Sequence, residues 1–198
     1  MTLRTFDAVG GWPALRPHLA LPEPTLAALD ETVEFAVTWH ADQVRPAGEP
    51  YVEHLLEALR VLVEAIGVTD VDVLRAAVLH DVVEDTPCTL DQVRERFGDR
   101  VAELVDWVTK SEPADGESPE QARAAYLTRL RTAPPDALLV KLADRASNVQ
   151  RLDTHPRPAK QRSYYQETVV SIVPLTQHHQ WFRDWYATWQ QTFAHLAV

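Results

Sequence analysis

The sequence has almost no cysteine and no long apolar run. Cys88 is the single cysteine among 198 residues, so no internal disulfide can form and a disulfide-stabilised scaffold is excluded. No apolar run approaches the roughly 18 residues of a membrane span. Residues 1–11 lack the basic head and apolar core of a signal peptide. These absences predict a cytoplasmic protein with no membrane partner.

A basic stripe is also missing. The net charge is −10, with 24 acidic and 9 basic side chains in residues 1–120 against 5 and 10 in residues 121–198. Such a chain is poorly suited to gripping a nucleic-acid backbone, so no nucleic-acid partner is expected. A small phosphate-bearing ligand needs only a few placed cations or a metal, and it remains compatible with this charge. Nothing in the composition specifies an oligomeric state.

Strand-like alternation is the third absence. Apolar residues recur instead at three- and four-residue spacing, which predicts an all-α fold. We expect one compact multi-helix domain over residues 24–198, preceded by a proline-bearing arm over residues 1–23. The predicted helices cover approximately residues 24–37, 55–66, 69–81, 89–97, 101–108, 118–131, 137–152, 157–173 and 176–195. Polar loops are expected at 44–50 and 111–117.

Several residues predict helix boundaries. Thr69 and Thr89 are the expected N-caps of the third and fourth helices. The segment Ser118-Pro119-Glu120-Gln121 has the form of a capping box with proline at the first helical position. Gly67 is expected to stop the second helix. These signals favour helices joined by short connections.

Four ionisable groups cluster at the end of the third predicted helix. His80, Asp81, Glu84 and Asp85 follow a strongly apolar stretch, and the pairs four residues apart share a face. Three carboxylates within five residues repel one another and resist burial, so they need a positive partner. A divalent metal is the most economical partner, whereas a solvent-exposed acidic helix end is the alternative.

Two further segments carry residues of the same kinds. His54 lies early in the second helix, and Asp144 follows an apolar run in the seventh, one turn before Asn148. A buried aspartate needs a partner, and Lys141 or Arg145 could be that partner instead of a metal.

The histidines and aspartates of these segments form a set of two imidazoles and two carboxylates, contributed by His54, His80, Asp81 and Asp144. This donor set suits manganese, iron or zinc better than calcium. Two aspartates also balance a divalent charge, and four protein ligands leave room for water on a six-coordinate ion. The set therefore predicts one divalent ion.

The ordered series His…His-Asp…Asp is similar to the signature of the HD metal-dependent phosphohydrolase superfamily. Longer motifs resemble the hydrolase domain of the RelA/SpoT homologue superfamily, and the chain resembles its stand-alone small alarmone hydrolases. The resemblance spans roughly residues 30–176. The motifs that carry it are His40-x-x-Gln43-x-Arg45-x-x-Gly48-x-Pro50-Tyr51-x-x-His54, His80-Asp81-Val82-Val83-Glu84-Asp85-Thr86, Phe97-Gly98 with Val108-Thr109-Lys110, and Lys141-Leu142-Ala143-Asp144-Arg145-x-x-Asn148.

The resemblance implies an HD-domain helical bundle that hydrolyses the alarmones ppGpp and pppGpp to GDP or GTP plus pyrophosphate. Its substrate would be a small nucleotide and its cofactor one manganese ion. The roles it implies are metal binding for His54, His80, Asp81 and Asp144, catalysis for Glu84 and Asp85, and substrate binding for Arg45, Tyr51, Lys110 and Asn148.

Departures from the family pattern fall near the expected nucleotide site. Pro46 stands where relatives usually carry lysine, Ser147 stands where they favour histidine, and Gln150-Arg151 replaces Arg-Thr. Proline offers no donor to guanine, so weak discrimination between guanine and adenine is expected. Two alternatives stay open: a phosphohydrolase of another nucleotide, such as an adenine alarmone or a 5′-nucleotide, and a non-catalytic nucleotide-binding module.

Overall fold

The computed structural model describes residues 2–197, and within that range the chain is helical with no strand. A single antiparallel bridge between Val44 and Pro50 closes the loop before the second long helix. The all-α prediction is confirmed. The helices are α1 Gly11–Leu15, α2 Glu23–His40, α3 Tyr51–Arg60, α4 Val71–Leu79, α5 Val82–Asp85, α6 Leu90–Phe97, α7 Asp99–Val108, α8 Pro119–Arg129, α9 Pro135–Val149, α10 Pro158–Glu167 and α11 Gln180–Thr192.

Two helices continue beyond these bounds with looser winding. Val61–Ile66 extends α3 as a π-helical segment, and Thr168–Ile172 extends α10 in the same way. Gly67 ends the first of these segments at φ +78°, a left-handed conformation that glycine adopts without strain. Nowhere between residues 2 and 197 does a helix combine the length and apolar character that a bilayer crossing requires.

The helix caps agree with the sequence at two positions and differ at one. Thr89 and Ser118 each form a complete capping box with the glutamine three residues further on. Thr69 is not the cap of α4, so that prediction is wrong. The Asp70 carboxylate instead accepts from the backbone N–H groups two and three residues beyond it. Aspartate ranks above threonine as an N-cap, which explains the choice.

Helix α9 lies at the centre of the bundle and packs against α3, α4 and α7. Most of its length is buried, including four polar or charged side chains. Those four are Lys141, Asp144, Arg145 and Ser147. Burying so many polar groups on a central helix is costly unless each is paired, so this helix marks the place where a site is built.

The third predicted helix is interrupted at its functional end. It was expected to run through Asp81, but α4 stops at Leu79 and the short α5 begins at Val82. His80 Nδ1 donates to the carbonyl oxygen of Ala77 at 2.7 Å. This bond fixes the imidazole ring against the last turn of α4. Asp81 lies at φ −103° and ψ −3°, in the bridge region between helix and strand. The break places His80 and Asp81 at a junction rather than within a helix.

Residues before α2 lie along the bundle and carry the short helix α1, which the sequence did not predict. Its five residues begin after Gly10, whose left-handed φ of +86° sets its start. Phe6 is 1% exposed and meets Trp181 edge to face. Its backbone N–H and carbonyl both bond the Gln150 side chain, at 2.6 and 2.7 Å. This segment is therefore bound to the end of α9 and to α11.

Candidate active site

Four side chains from three parts of the chain converge at the centre of the bundle. His54 comes from α3, His80 and Asp81 from the α4–α5 junction, and Asp144 from α9. One ligand atom from each lies within 4.8 Å of all the others. The two Nε2 atoms are 3.0 Å apart, and they lie 3.1–3.4 Å from the Asp81 Oδ2 and Asp144 Oδ1 atoms.

These separations test whether the residues fit a metal. Ligand atoms about 2.1 Å from one ion, at angles between 90° and 110°, lie about 3.0–3.4 Å apart. The observed distances match that spacing. The two buried imidazoles bring their Nε2 atoms together beside two carboxylate oxygens, and a shared cation fits this arrangement.

Hydrogen bonds on the far side of each imidazole point the ring at this centre. His80 Nδ1 is held by the Ala77 carbonyl at 2.7 Å, and His54 Nδ1 by the Ser147 hydroxyl at 2.8 Å. A carbonyl only accepts, so His80 carries its proton on Nδ1. The lone pair on its Nε2 atom is then available to bind a metal ion. Partners of this kind orient metal-binding histidines in other proteins.

Asp144 is held from both sides. Lys141 Nζ donates to its Oδ2 at 2.7 Å, and Asn148 Nδ2 to its Oδ1 at 2.6 Å. Burial alone would lower the Lys141 pKa, but the charge and hydrogen bond of Asp144, together with the Tyr126 hydroxyl, raise it above the ordinary value. The sequence left open whether Asp144 pairs with Lys141 or faces a metal. The structure shows the Lys141 ion pair and also places Asp144 in the four-residue group that could hold a metal. Arg145 instead donates to Glu167 at 2.6 Å.

The Tyr51 hydroxyl connects Asp85 of the acidic pair to the four-residue set His54, His80, Asp81 and Asp144, termed the metal group. The oxygen lies 2.6 Å from Asp81 Oδ2 and 2.6 Å from Asp85 Oδ2, while the ring stacks on His40 at 4.7 Å between centroids. Burial raises the pKa of Asp85, and the charges of Asp81 and Glu84 act in the same direction against the Tyr51 bond. Asp85 is consequently a stronger base than an ordinary aspartate.

Glu84 and Lys110 form a closed pair beside Asp85. One Glu84 oxygen accepts from the Lys110 backbone N–H at 2.8 Å, and the other from Lys110 Nζ at 2.8 Å. These bonds tie α5 to the end of α7. The structure thus brings Glu84, Asp85 and Lys110 to the same wall as the metal group.

These groups open onto a polar cavity of about 330 Å³. Its walls include several residues to which sequence reasoning gave no role, on α8 and α10. They are Arg123, Tyr126, Lys160, Tyr164 and Glu167. Lys160 and Glu167 belong to a stretch similar to the family, which was the available signal. Nothing in the sequence marked α8 as a wall, because Arg123 and Tyr126 stand in no recognisable motif.

Arg45 lies outside this cavity. Its Nη1 donates to Glu57 at 3.1 Å, and it lines an adjoining pocket together with Asn148, Arg151 and His155. Asn148 faces both spaces. Of the four predicted substrate residues, the structure places Tyr51, Lys110 and Asn148 on the metal cavity and Arg45 beside it.

Comparisons with known proteins agree with this geometry. Residues 32–175 match the HD domain family. The chain belongs to the HD domain family. It is 42% identical over 132 residues to the human protein named guanosine-3′,5′-bis(diphosphate) 3′-pyrophosphohydrolase MESH1, a match that covers 64% of this chain and 70% of that protein. The predicted relationship is confirmed.

Longer bacterial relatives and a solved structure extend the HD domain match. A Vibrio cholerae protein named guanosine-3′,5′-bis(diphosphate) 3′-pyrophosphohydrolase is 36% identical over 158 residues, covering 78% of this chain and 22% of that protein. The chain thus spans about a fifth of the length of such relatives. A solved structure described as a metazoan ortholog of SpoT that hydrolyzes ppGpp superposes with a TM-score of 0.76 at 27% identity, covering 84% of this chain and 96% of that one.

Proposed function

We propose that this protein is a metal-dependent 3′-pyrophosphohydrolase that converts ppGpp and pppGpp to GDP and GTP plus pyrophosphate. The observation that carries the proposal is the convergence of His54, His80, Asp81 and Asp144, with their ligand atoms within 4.8 Å, beside the acidic pair Glu84 and Asp85. Relatives named for this activity support it. Its substrate is then a small nucleotide, and we place its action in the cytoplasm.

The metal we propose is one Mn²⁺ ion. Imidazole and carboxylate ligands suit manganese, and the open cavity leaves coordination positions for water and a phosphoryl oxygen. When bound, a divalent ion supplies a lowered pKa for a ligand water and polarisation of the phosphoryl group. The ion pair of Lys141 with Asp144 keeps one of the ligand carboxylates charged and fixed.

The chain's own residues then divide the remaining tasks. Asp85 takes the proton of the attacking water, since its carboxylate faces the cavity and its pKa is raised. The Tyr51 hydroxyl lies 2.6 Å from an oxygen of Asp85 and 2.6 Å from an oxygen of Asp81, and these two carboxylates share its single proton. Glu84 is anchored by Lys110 and orients the same water. The water oxygen bonds to the phosphorus at the 3′ position, and the bond to the 3′ oxygen breaks. The proton that Asp85 removed from the water is returned to the 3′ oxygen, which leaves as a hydroxyl group.

Cations around the cavity match a highly charged nucleotide. Lys110, Arg123 and Lys160 line its walls and offset phosphate charge as the leaving oxygen develops its own. The nucleoside would occupy the adjoining pocket that Arg45 and Asn148 line. Such binding leaves the 3′-pyrophosphate at the metal and the 5′-phosphates toward the cations.

One observation keeps the adenine alarmone as a second candidate substrate. Pro46 lines the nucleoside pocket and has no donor, and the nearby Arg45 is already paired with Glu57. A pocket that stacks a base reads its presence more than its identity. A good bidentate base contact is worth about 1–3 kcal/mol, so we expect guanine to be favoured by less than that.

The test compares kcat/KM for ppGpp and for its adenine counterpart side by side with MnCl₂. We expect both to release pyrophosphate with rates within about tenfold, the factor that matches about 1.4 kcal/mol. A 5′-nucleotide without a 3′-pyrophosphate is the control and should yield nothing. Release of orthophosphate from the 5′-nucleotide, with neither alarmone hydrolysed, would overturn the proposal.

A further inference from the structure

A buried carboxylate behind the metal group has no role in the proposed reaction. Glu57 lies on α3, one turn after His54, and its side chain is 2% exposed. Two arginines bond it: Arg45 Nη1 reaches Oε2 at 3.1 Å, and Arg151 Nη2 bonds Oε1. The Ser147 hydroxyl lies 2.5 Å from the same Oε2. Glu57 is therefore a charged junction between the nucleoside pocket and α9.

The Ser147 hydroxyl connects this junction to a metal-binding histidine. Its oxygen is 2.8 Å from His54 Nδ1 and 2.5 Å from Glu57 Oε2. An ionised carboxylate only accepts, so the single serine proton is donated to Glu57. The serine oxygen then accepts from Nδ1–H of His54. The direction of both bonds is determined by the carboxylate.

That direction decides which nitrogen of His54 can bind a metal. With the proton on Nδ1, the lone pair is on Nε2, which lies 3.3 Å from Asp81 Oδ2 and 3.3 Å from Asp144 Oδ1. A serine free to donate to Nδ1 would stabilise the opposite tautomer, whose Nε2–H cannot be a ligand. Ser147 and Arg151 are both departures from the family pattern. The hydrogen bonds that orient His54 are therefore specific to this sequence.

We propose that Glu57 is a positioning residue that, through Ser147, holds His54 in its metal-binding tautomer and, through Arg45 and Arg151, ties that histidine to the nucleoside pocket. The role deepens the proposed function and rests on it for the nucleotide half. The metal half is independent of any substrate. One carboxylate would thus serve both metal affinity and nucleotide affinity.

The experiment measures Mn²⁺ affinity of the full chain without nucleotide, from the electron paramagnetic resonance signal of free Mn²⁺. Ser147→Ala removes the connecting hydroxyl and leaves Glu57 with both arginines, so we expect a folded protein with about 10- to 100-fold weaker Mn²⁺ binding. Glu57→Gln should weaken Mn²⁺ binding as well. Its amide nitrogen can donate to the Ser147 oxygen, and the Ser147 hydroxyl would then donate to His54 Nδ1, which reverses the direction of both hydrogen bonds. Circular dichroism and thermal melts verify the fold of each variant.

The double variant tests whether Glu57 affects Mn²⁺ binding through Ser147 or independently of it. If Glu57 acts through Ser147, then Ser147→Ala with Glu57→Gln binds Mn²⁺ no more weakly than the weaker single variant. At saturating MnCl₂ the KM for ppGpp should rise in Glu57→Gln, which no longer holds Arg45 in place, and stay within about twofold in Ser147→Ala. Glu64→Gln is the matched control, since it removes a carboxylate paired with Arg60 at 2.6 Å further along the same helical run. It should leave both affinities unchanged.

The outcomes distinguish the positioning role of Glu57 from the proposed hydrolase function. Folded Ser147→Ala and Glu57→Gln proteins that bind Mn²⁺ as the wild type does would overturn the positioning role and leave the hydrolase assignment standing. Weakened Mn²⁺ binding in a protein whose wild type hydrolyses no alarmone would support the positioning role and overturn the hydrolase assignment. Additive losses in the double variant would overturn the connection through Ser147.

Discussion

At the scale of single residues, the site combines groups that bind with groups that orient them. Asp144 is the clearest case, because Lys141 and Asn148 hold its two oxygens while Oδ1 also faces both histidines. These hydrogen bonds fix the position and orientation of the Asp144 carboxylate. The result is a preorganised carboxylate, as the proposed metal site requires.

The acidic pair gives a prediction at this scale. Asp85→Asn and Glu84→Gln should each lower kcat by about 10²- to 10⁴-fold, the usual cost of losing a general base or its partner. Mn²⁺ affinity should stay near that of the wild type, since neither residue belongs to the four-ligand group. Steady-state kinetics with ppGpp and a Mn²⁺ titration provide the two readouts.

The control for this pair is Asp91→Asn, which removes a carboxylate with 82% exposure on α6. It should leave kcat unchanged. Near-normal turnover in both Asp85→Asn and Glu84→Gln would remove these carboxylates from the mechanism, whatever their place beside the cavity.

At the scale of elements, helix α8 is the wall least supported by the core. None of its residues is buried, although Arg123 and Tyr126 line the cavity. Its ends are held by the Ser118 capping box and by the Tyr126 hydroxyl, which donates to the Val108 carbonyl at 2.6 Å. Elements with few buried apolar contacts open locally before the rest of a protein does.

Ser118→Ala therefore tests how α8 is held. Loss of an N-cap side chain costs about 1 kcal/mol, and hydrogen exchange of the amides in Pro119–Arg129 should speed up by about fivefold as a result. Exchange in the buried helix α9 should not change. Equal protection of α8 in both proteins would show that the cap contributes nothing to its stability.

Sequence patterns determine most of these elements but not their interruptions. Helix existence follows from apolar spacing, and the caps at Thr89 and Ser118 follow from local chemistry. The break after Leu79 does not, because it depends on the bond from His80 to a backbone carbonyl and on the place Asp81 takes at the centre. Tertiary geometry of this kind leaves no mark in helical periodicity.

The candidate site divides in the same way. The grouping of His54, His80, Asp81 and Asp144 was predictable, since these residues match a family motif in order, and their role as metal ligands stays a prediction. The walls were not, because Arg123 and Tyr164 carry no local signal and meet only when α8 and α10 pack around the cavity. Arg45 was predicted to hold the nucleotide, and that role stays a prediction while Glu57 occupies its guanidinium.

At the scale of the whole molecule, the N-terminal segment packs against the end of α9 and against α11. Gln150 bonds both backbone groups of Phe6, and Trp185 Nε1 donates to the Arg4 carbonyl at 2.7 Å. We propose that residues 1–23 form an arm and residues 24–198 the hydrolase domain. The arm nevertheless contributes a buried aromatic side chain to the common core.

Phe6→Ala should consequently lower the free energy of unfolding by about 3–5 kcal/mol, as large-to-small changes of buried aromatics do. Denaturant unfolding measures the loss. Val9→Ala is the control in the same segment, because Val9 is 74% exposed and its truncation should have little effect. A Phe6→Ala protein as stable as the wild type would mean that the arm rests on the bundle without supporting it.

The central claim is that water attacks the phosphorus at the 3′ position beside the metal group. It is tested most directly by hydrolysing ppGpp with MnCl₂ in water enriched in oxygen-18 and locating the label by mass spectrometry. The account predicts one labelled oxygen in pyrophosphate, none in GDP, and no reaction with EDTA. Label in GDP, or orthophosphate as the released product, would contradict it.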